Sequence, residues 1–208
     1  ELARVIAELE RSNGELDQFA YVVSHDLKAP LRGIASVCDW IEEDLAGTMT
    51  DATRTNLGLV HSRVGRLREL VDGILAFSRV GRTRAEPELV DGAVLVRGVA
   101  EMLHAPPGTS IEVAPGMPVA RVQRQLLEQV FSNLIGNAVK YAHRPDPRVL
   151  VQGSEVGRFY TFSVCDNGPG IAAQHHERIW VLFQRLESRD STEGDGIGLA
   201  LVKKIVEG

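Results

Sequence analysis

Apolar side chains recur every seven residues along the first part of the chain. One series consists of Leu2, Leu9, Leu16 and Val23, and a second, offset by four positions, consists of Ile6, Asn13, Ala20, Leu27, Ile34 and Ile41. Alternating steps of three and four are the seam pattern of a coiled coil, in which one polar residue such as Asn13 sets register and oligomer state. The pattern predicts one long helix, kinked at Pro30 because an interior proline removes a helical hydrogen bond.

A second helical pattern covers residues 52–78. Its apolar residues are spaced by three and four and form one stripe: Leu57, Val60, Val64, Leu67, Val71, Ile74 and Leu75. A short loop at Gly47, with Thr50 or Asp51 as the next helix cap, is expected to join the two helices into a hairpin. One hairpin covers each stripe on one side only, whereas two hairpins packed as a four-helix bundle cover both sides. We therefore expect a homodimer.

The pattern changes after a charged linker at residues 80–87, which contains Gly81 and Pro87. Helical periodicity then covers residues 91–103, 123–141 and 196–207. Short strands are expected at residues 109–113, 118–121, 148–154 and 159–166. The sequence therefore predicts a helical domain over residues 1–80 and a mixed α/β domain over residues 86–208.

Charge and cysteine content narrow the class of protein. The net charge of −5 gives no electrostatic reason to expect a nucleic-acid partner. Cys38 and Cys165 have no metal or redox spacing, so we expect two buried thiols in a reducing compartment, the cytoplasm. No apolar run approaches the ~20 residues of a membrane helix, so no membrane contact is expected from this fragment. The chain starts at Glu1, and a membrane anchor upstream of it is left open.

His25 stands beside Asp26 on the first predicted helix. Counting on from Val23, the ring lies two positions past the seam, so it is expected to face solvent and not the core. A carboxylate at Asp26 accepts a hydrogen bond from Nδ1–H, which fixes the tautomer and leaves Nε2 as a nucleophile. His25 and Asp26 are therefore candidate catalytic residues.

A polar stripe follows the helix predicted at residues 123–141. Positions i, i+4, i+7 and i+8 share one helix face, and here they are Asn133, Asn137, Lys140 and Tyr141. An amide oxygen together with ligand phosphates suits Mg²⁺, and an ammonium offsets phosphate charge. The alternative is a solvated helix face with no ligand.

Asp166 ends an apolar strand and opens a glycine-rich turn, Asn167-Gly168-Pro169-Gly170. A carboxylate accepts a hydrogen bond from an exocyclic amine such as that of adenine, and glycines let backbone approach a ligand closely. Asp166, Gly168 and Gly170 are candidate base-binding residues. The alternative is an ordinary strand followed by a turn.

A second group of glycines, Gly194, Gly196 and Gly198, comes directly before the last predicted helix, where backbone N–H groups bind phosphate oxygens. The polar segment of residues 171–193 precedes it and is long enough to be a lid. Ile179 and Phe183 are expected to anchor that segment as an i, i+4 apolar pair, or to pack in the core.

These motifs, in this order, resemble the catalytic core of a sensor histidine kinase of two-component signalling. Five segments carry the resemblance, and they look like the H box, N box, first glycine box, F box and second glycine box: residues 19–32, 133–141, 166–170, 183–186 and 194–201. The amino-acid sequence around His25 is similar to that of phytochrome-type kinases.

The resemblance implies a dimerisation and phosphotransfer domain followed by an ATP-binding α/β sandwich of the kind shared with gyrase-type ATPases. It implies that His25 is the phosphoacceptor and Asp26 its acid/base partner. It also implies that Asn137 binds Mg²⁺ and that Asp166 binds the adenine amine. It implies ATP and Mg²⁺ as cofactors, a response regulator whose aspartate takes the phosphoryl group, and a sensor domain upstream on the same chain. The resemblance also implies that the glycine boxes form a flexible lid.

Three positions depart from the family pattern. Kinases that also dephosphorylate their partner usually have Thr or Asn four residues after the histidine, whereas this chain has Ala29, so weak phosphatase activity is expected. Trp180 stands where the F-box region often has Phe. The chain stops at Gly208, where relatives continue into further strands, so the sequence is expected to be cut short.

Two other function classes compete with a kinase. A hydrolytic ATPase of the gyrase type has Glu four residues before the metal-binding Asn, but Asn133 occupies that position and an amide is no general base. A dimeric scaffold with a degenerate nucleotide domain would relay signals without chemistry. Whether ATP on one subunit serves its own His25 or that of its partner depends on the handedness of the hairpin loop, which the sequence leaves open.

Overall fold

The computed structural model describes residues 2–80, 85–186 and 196–207, with few side chains described before Val22. The seam positions expected at Leu2, Ile6, Leu9, Asn13, Leu16 and Ala20 therefore lie outside the described side chains. The described part divides into two compact units. The first contains residues 2–79 with 196 and 197, and the second contains residues 80, 85–186 and 198–207.

The first unit is a helical hairpin, as the two apolar patterns predict. Helix α1 is Leu2–Asp44 and runs through Pro30 as one element, and helix α2 is Asp51–Arg79. Gly47 adopts φ +86 in the connecting turn, a conformation that glycine allows at little cost. Thr50 caps α2, because its Oγ1 accepts a hydrogen bond from the Thr53 N–H at 3.2 Å.

Two side-chain contacts between the helices mark the register of the hairpin. Lys28 Nζ lies 2.5 Å from Asp72 Oδ1, and His61 Nε2 lies 3.5 Å from Asp39 Oδ1. Both pairs join α1 to α2, and in each pair the two residue numbers add to the same sum, as an antiparallel hairpin with one register requires.

Each helix of the hairpin has two apolar stripes, of which only one is covered. The covered stripes contain Leu31 and Cys38 on α1 and Leu57, Val64, Val71 and Leu75 on α2. The open stripes contain Val23, Leu27, Ile34 and Ile41 on α1 and Val60, Leu67 and Ile74 on α2, each at least 36% exposed. The single stripe expected on α2 is therefore two stripes on adjacent faces.

The second unit combines three helices with two small sheets. Helix α3 is Gly92–Met102, α4 is Arg124–Lys140 and α5 is Gly198–Glu207. The strands are β1 Glu88–Asp91, β2 Ser110–Val113, β3 Val119–Val122, β4 Arg148–Val156 and β5 Phe159–Asp166. Strands β1 and β3 pair antiparallel, while β4 lies between β2, which is parallel to it, and β5, which is antiparallel.

The core of this unit lies between the helices and one face of the strands. It contains Val90, Leu95, Val96, Val99, Phe131, Ile135, Ala138, Val149 and Val151. Phe131 of α4 meets Phe162 of β5 edge to face, with ring centroids 5.3 Å apart. Because α4 is anchored to the core through one face, its opposite face is available for polar side chains.

Three details differ from the sequence prediction. Strand β1 was not expected, because four residues next to a linker give no resolvable periodicity. The last helix begins at Gly198 and not at residue 196, since Gly196 has φ +71, which is incompatible with a right-handed helix. Cys165 is exposed and not buried, because it pairs with Leu150 on the uncovered face of the sheet, whereas Cys38 is buried as expected.

None of the helices in the described part of the chain has an apolar stretch long enough to cross a membrane.

Candidate functional site

His25 lies on the solvent side of α1. Its side chain is 72% exposed and that of Asp26 is 73% exposed, with His25 Nδ1 3.1 Å from Asp26 Oδ1. In the tautomer with a proton on Nδ1, that nitrogen donates to the carboxylate and Nε2 keeps its lone pair. The neighbouring Ser24 is 3% exposed, so the two adjacent residues lie on different faces of this helix. The ring is thus exposed to solvent and not packed in the core.

Ala29 lies one helical turn after His25 and is exposed. Its methyl group has neither donor nor acceptor, so this side chain cannot orient a water molecule next to the imidazole.

The four polar residues predicted to share one helix face lie on α4 or at its C-terminal cap. Asn133, Asn137 and Tyr141 are half-buried and Lys140 is exposed. Lys140 Nζ lies 5.7 Å from the centroid of the Tyr141 ring, a cation–π contact that holds the ammonium near the end of the helix. Tyr141 caps that end, where its N–H donates to the Asn137 carbonyl at 2.9 Å. The C-terminal turn of α4 therefore gathers an amide, an ammonium and a phenol.

Asn133 links α4 to the start of α5. Its Nδ2 donates to the Gln129 carbonyl at 2.8 Å. A Cβ atom on Gly198 would lie only 2.5 Å from Asn133 Oδ1. Gly198 is therefore required for the close packing of two helices, a reason that its position in a glycine-rich motif does not reveal.

Two glycines of the turn after β5 serve different purposes. A Cβ on Gly168 would meet Asp166 Oδ1 at 2.8 Å and the Tyr141 carbonyl at 3.3 Å, so this glycine allows the turn to pack on the end of α4. Gly170 has open space around it but adopts φ +71. Glycine is therefore favoured here because other residues rarely adopt this backbone conformation. The turn and the end of α4 thus form one site.

Asp166 is exposed at the end of β5, with one carboxylate oxygen engaged by the turn. Its Oδ1 accepts a hydrogen bond from the Gly168 N–H at 2.8 Å. Among the residues that the structure describes, Oδ2 has no donor. A carboxylate held in this way presents one acceptor to a ligand.

The segment after the first glycine turn differs from the prediction. A 3₁₀ turn, Arg178–Trp180, ends before Phe183, which adopts φ +64 and is 55% exposed. An i, i+4 pair needs a continuous helix, so Phe183 does not pair with Ile179 as an apolar anchor, and it is not in the core. Gly194 and residues 187–193 lie outside the described residues.

Sequence reasoning missed the role of Asn167, which it treated only as a turn residue. Its side-chain amide makes two backbone hydrogen bonds to a segment about twenty residues earlier. The position of this asparagine directly after the candidate base-binding carboxylate gave no signal of the contact, since Asn is common in turns.

The structure brings together the candidate residues of α4, the turn after β5 and the start of α5, which all belong to the second unit. His25 and Asp26 belong to the first unit.

Comparisons with known proteins assign each unit. Residues 15–83 match the model of the His Kinase A (phospho-acceptor) domain, and residues 122–208 match that of the histidine kinase-, DNA gyrase B- and HSP90-like ATPases. His25 falls in the first match, and the stripe of α4 and both glycine motifs fall in the second.

Curated relatives match along the whole chain. The phytochrome-like protein Cph1 of Synechocystis is 35% identical over 210 residues, which is 100% of this chain and 28% of the relative. The methanogenesis regulatory histidine kinase FilI of Methanothrix harundinacea is 32% identical, over 100% of this chain and 24% of the relative. The chain therefore spans about a quarter of the length of these relatives.

Among solved structures, full-length ShkA in complex with AMPPNP superposes with a TM-score of 0.68 at 28% identity, covering 91% of this chain and 40% of that one. The Acinetobacter baumannii histidine kinase AdeS shares the fold with a TM-score of 0.58 at 22% identity, over 88% of this chain and 86% of that one. Because the two family models match in succession and relatives over the whole chain include a named histidine kinase, the chain belongs to the sensor histidine kinases as a catalytic core.

Proposed function

We propose that this chain transfers the γ-phosphoryl group of ATP to His25 and then to an aspartate of a response regulator. The observation that carries the proposal is the exposed imidazole of His25 with Nδ1 3.1 Å from the Asp26 carboxylate. This imidazole is a nucleophile exposed on a helix, and the same chain contains a unit that matches ATPases. The combination suits transfer of a phosphoryl group from ATP to the protein itself.

The chemistry at His25 follows from the tautomer. With Nδ1–H donated to Asp26, the lone pair on Nε2 attacks the γ-phosphorus, a P–N bond forms and the P–O bond to the leaving ADP breaks. The ring becomes cationic as the bond forms, and the Asp26 carboxylate stabilises that charge through the shared proton. Asp26 therefore orients the ring and lowers the barrier without touching the phosphorus.

The second unit supplies the nucleotide site in this proposal. Asp166 accepts a hydrogen bond from the exocyclic amine of adenine through Oδ2, the oxygen that is not bonded to the turn. Lys140 offsets the negative charge of the phosphates. The remaining candidates are proposed as nucleotide-binding residues on the strength of their motifs: Asn133, Tyr141, Gly168, Gly170, Phe183, Gly194, Gly196 and Gly198. Together with the hairpin, this assigns residues 1–80 to dimerisation and phosphotransfer and residues 86–208 to ATP binding.

The proposed metal ligand is Asn137, whose amide oxygen suits Mg²⁺ together with phosphate oxygens and water. In the described part of the chain, no group of three or more His, Cys, Asp or Glu side chains is arranged to hold a metal. When bound, Mg²⁺ would neutralise charge on the phosphates.

The open stripes of the hairpin support a homodimer. Burying a Leu, Ile or Val side chain fully contributes about 1.5–3 kcal/mol, and the seven side chains of the open stripes are each 36–48% exposed. A second copy of the hairpin offers the same stripes in return, which completes a four-helix bundle.

The partners proposed beyond the dimer are a response regulator receiver domain and an upstream sensor domain on the same chain. The compartment proposed is the cytoplasm, where ATP and receiver domains are available.

Ala29 is expected to bias the site toward forward transfer, because no side chain one turn after His25 can hold a hydrolytic water. Purified phosphorylated regulator incubated with the chain should lose label no faster than regulator alone. Rapid dephosphorylation that persists in His25→Ala would contradict this expectation.

Incubation with γ-labelled ATP and Mg²⁺ tests the main proposal. We expect acid-labile, base-stable label in the wild type, none in His25→Ala, and wild-type label in His61→Gln, the matched change at the other histidine of the hairpin. Release of inorganic phosphate without protein label would favour a hydrolase, and ATP binding without any turnover would favour a scaffold.

A further inference from the structure

We infer that Asn167 is a positioning residue that fixes Asp166 for recognition of the adenine amine, an inference that rests on the proposed nucleotide site. The residue lies directly after Asp166, at the point where β5 leaves the sheet. Both polar atoms of its side chain are bonded to backbone groups of other residues, so its effect is exerted through its neighbours.

The side chain of Asn167 acts as a substitute peptide group. Its Oδ1 accepts a hydrogen bond from the Arg148 N–H at 2.9 Å, and its Nδ2 donates to the Asp146 carbonyl at 3.1 Å. The β4–β5 ladder ends at the pair Val149 and Asp166. The amide therefore continues the pairing beyond the last ladder residue, although the main chain is already turning away.

The backbone of Asn167 strengthens the same junction. Its N–H donates to the Arg148 carbonyl at 3.2 Å, and Arg144 donates to the Asn167 carbonyl at 3.3 Å. One half-buried residue thus makes four hydrogen bonds to residues 144–148. Pro147 in that segment has no N–H and is buried, so the segment has few other ways to pair with the turn.

The consequence reaches Asp166 through Gly168. Once Asn167 is held, the next N–H, that of Gly168, is directed back at Asp166 Oδ1 at 2.8 Å. That bond selects the rotamer of the carboxylate and therefore the direction of Oδ2. If Asn167 is released, Asp166 keeps its charge but loses its fixed direction.

This arrangement predicts a change in base selectivity and not a uniform loss of binding. A charge-assisted hydrogen bond from an amine to a well-placed carboxylate is worth about ten- to a hundredfold in affinity. Inosine triphosphate has the same phosphates and ribose as ATP but a carbonyl in place of the amine. The ratio of the two dissociation constants therefore measures the direction of the Asp166 carboxylate.

Asn167→Asp is the sharpest variant, because it keeps the shape and the acceptor for Arg148 N–H while it replaces the donor to the Asp146 carbonyl by an oxygen. Calorimetric titration should show the preference for ATP over inosine triphosphate falling by about tenfold, with the affinity for inosine triphosphate unchanged within a factor of about two. Gln152→Glu is the matched control, because it makes the same amide-to-carboxylate change at an exposed position of β4, and it should keep the wild-type ratio.

The ratio is measured on one folded sample, so a partly unfolded preparation does not alter it. If Asn167→Asp yields no folded protein, Asn167→Ser, whose single hydroxyl is too short to bridge Arg148 and Asp146, gives the same test. Equal loss of both nucleotides, or an unchanged ratio, would show a merely structural role and overturn the inference. Nucleotide binding with normal selectivity but no labelling of His25 would instead count against the proposed kinase function.

Discussion

The two units of this protein build their chemistry in opposite ways. In the hairpin, the candidate nucleophile depends on one helix: periodicity alone decides that His25 faces solvent while Ser24 is buried. In the α/β unit, the candidate site is assembled from the end of α4, the turn after β5 and the start of α5, which are far apart in sequence. Local pattern specifies the first kind of site, and tertiary contact specifies the second.

The two units also differ in how completely they bury their apolar side chains. The α/β unit closes its core within one chain, with Phe131, Ile135 and Val151 at 0% exposure. The hairpin leaves one stripe of each helix uncovered. A hairpin of this kind gains further stability when a second surface covers those stripes, whereas the core of the α/β unit is already covered.

A charge in the open stripe should have the largest effect on this contrast. Leu67→Glu places a carboxylate where a second hairpin would bury it, and desolvation of an unpaired charge should weaken dimerisation by at least about a hundredfold. Leu67 is 48% exposed in the single chain, so the hairpin itself should still fold. Sedimentation velocity across a concentration series measures the change.

Ser62→Glu is the matched control, because it adds the same charge to an exposed position on the opposite face of α2. It should leave the dimer intact. A Leu67→Glu protein that sediments like the wild type would mean that the open stripes do not form the interface.

A methyl group at Gly198 should have the next largest effect, confined to the α/β unit. The new Cβ would lie 2.5 Å from Asn133 Oδ1, so the Asn133 amide must rotate and lose its bond to the Gln129 carbonyl, or α5 must shift. We expect Gly198→Ala to weaken ATP binding by about tenfold, measured by calorimetry, since one hydrogen bond and the packing at the site are lost.

Gly98→Ala in α3 is the matched control. Its Cβ would meet no atom within 4 Å, and alanine is the better helix former by about 1 kcal/mol, so stability should rise slightly with ATP affinity unchanged. Unchanged ATP affinity in Gly198→Ala would show that the Asn133 contact is not part of the site.

The ion pair between Lys28 and Asp72 should have the smallest effect. Its side chains are 33% and 60% exposed, and exposed pairs couple by about 0.2–1 kcal/mol. A double-mutant cycle with Lys28→Ala and Asp72→Ala, read by urea unfolding, should give a coupling within that range that falls at high salt. A coupling of several kcal/mol would mean that polar contacts, and not the apolar stripes, hold the hairpin together.

The sequence predicted the fold class and most elements, because their signals are local. The stripe on α2 gave a helix at residues 52–78, and the structure has Asp51–Arg79. Strand β1 was missed because four residues have no resolvable period, and the start of α5 was placed two residues early because the positive φ of Gly196 cannot be read from its identity.

The candidate site was predicted as a set of residues but not as an arrangement. Asp166 and Gly168 were chosen as candidates from their motif, whereas the reason for each glycine depends on which atoms approach it. Asn167 was missed because its contacts with Asp146 and Arg148 exist only after β4 and β5 have paired. The exposed position of Phe183 was mispredicted because a helical spacing was assumed where the chain makes only a short 3₁₀ turn.

The central claim is that the exposed imidazole of α1 receives the phosphoryl group. After incubation with ATP and Mg²⁺ at alkaline pH, tandem mass spectrometry should place one phosphoryl group on His25, with none on the neighbouring Ser24 or on His61. A phosphoryl group found on another residue, or ATP consumed while every peptide of α1 stays unmodified, would contradict the account.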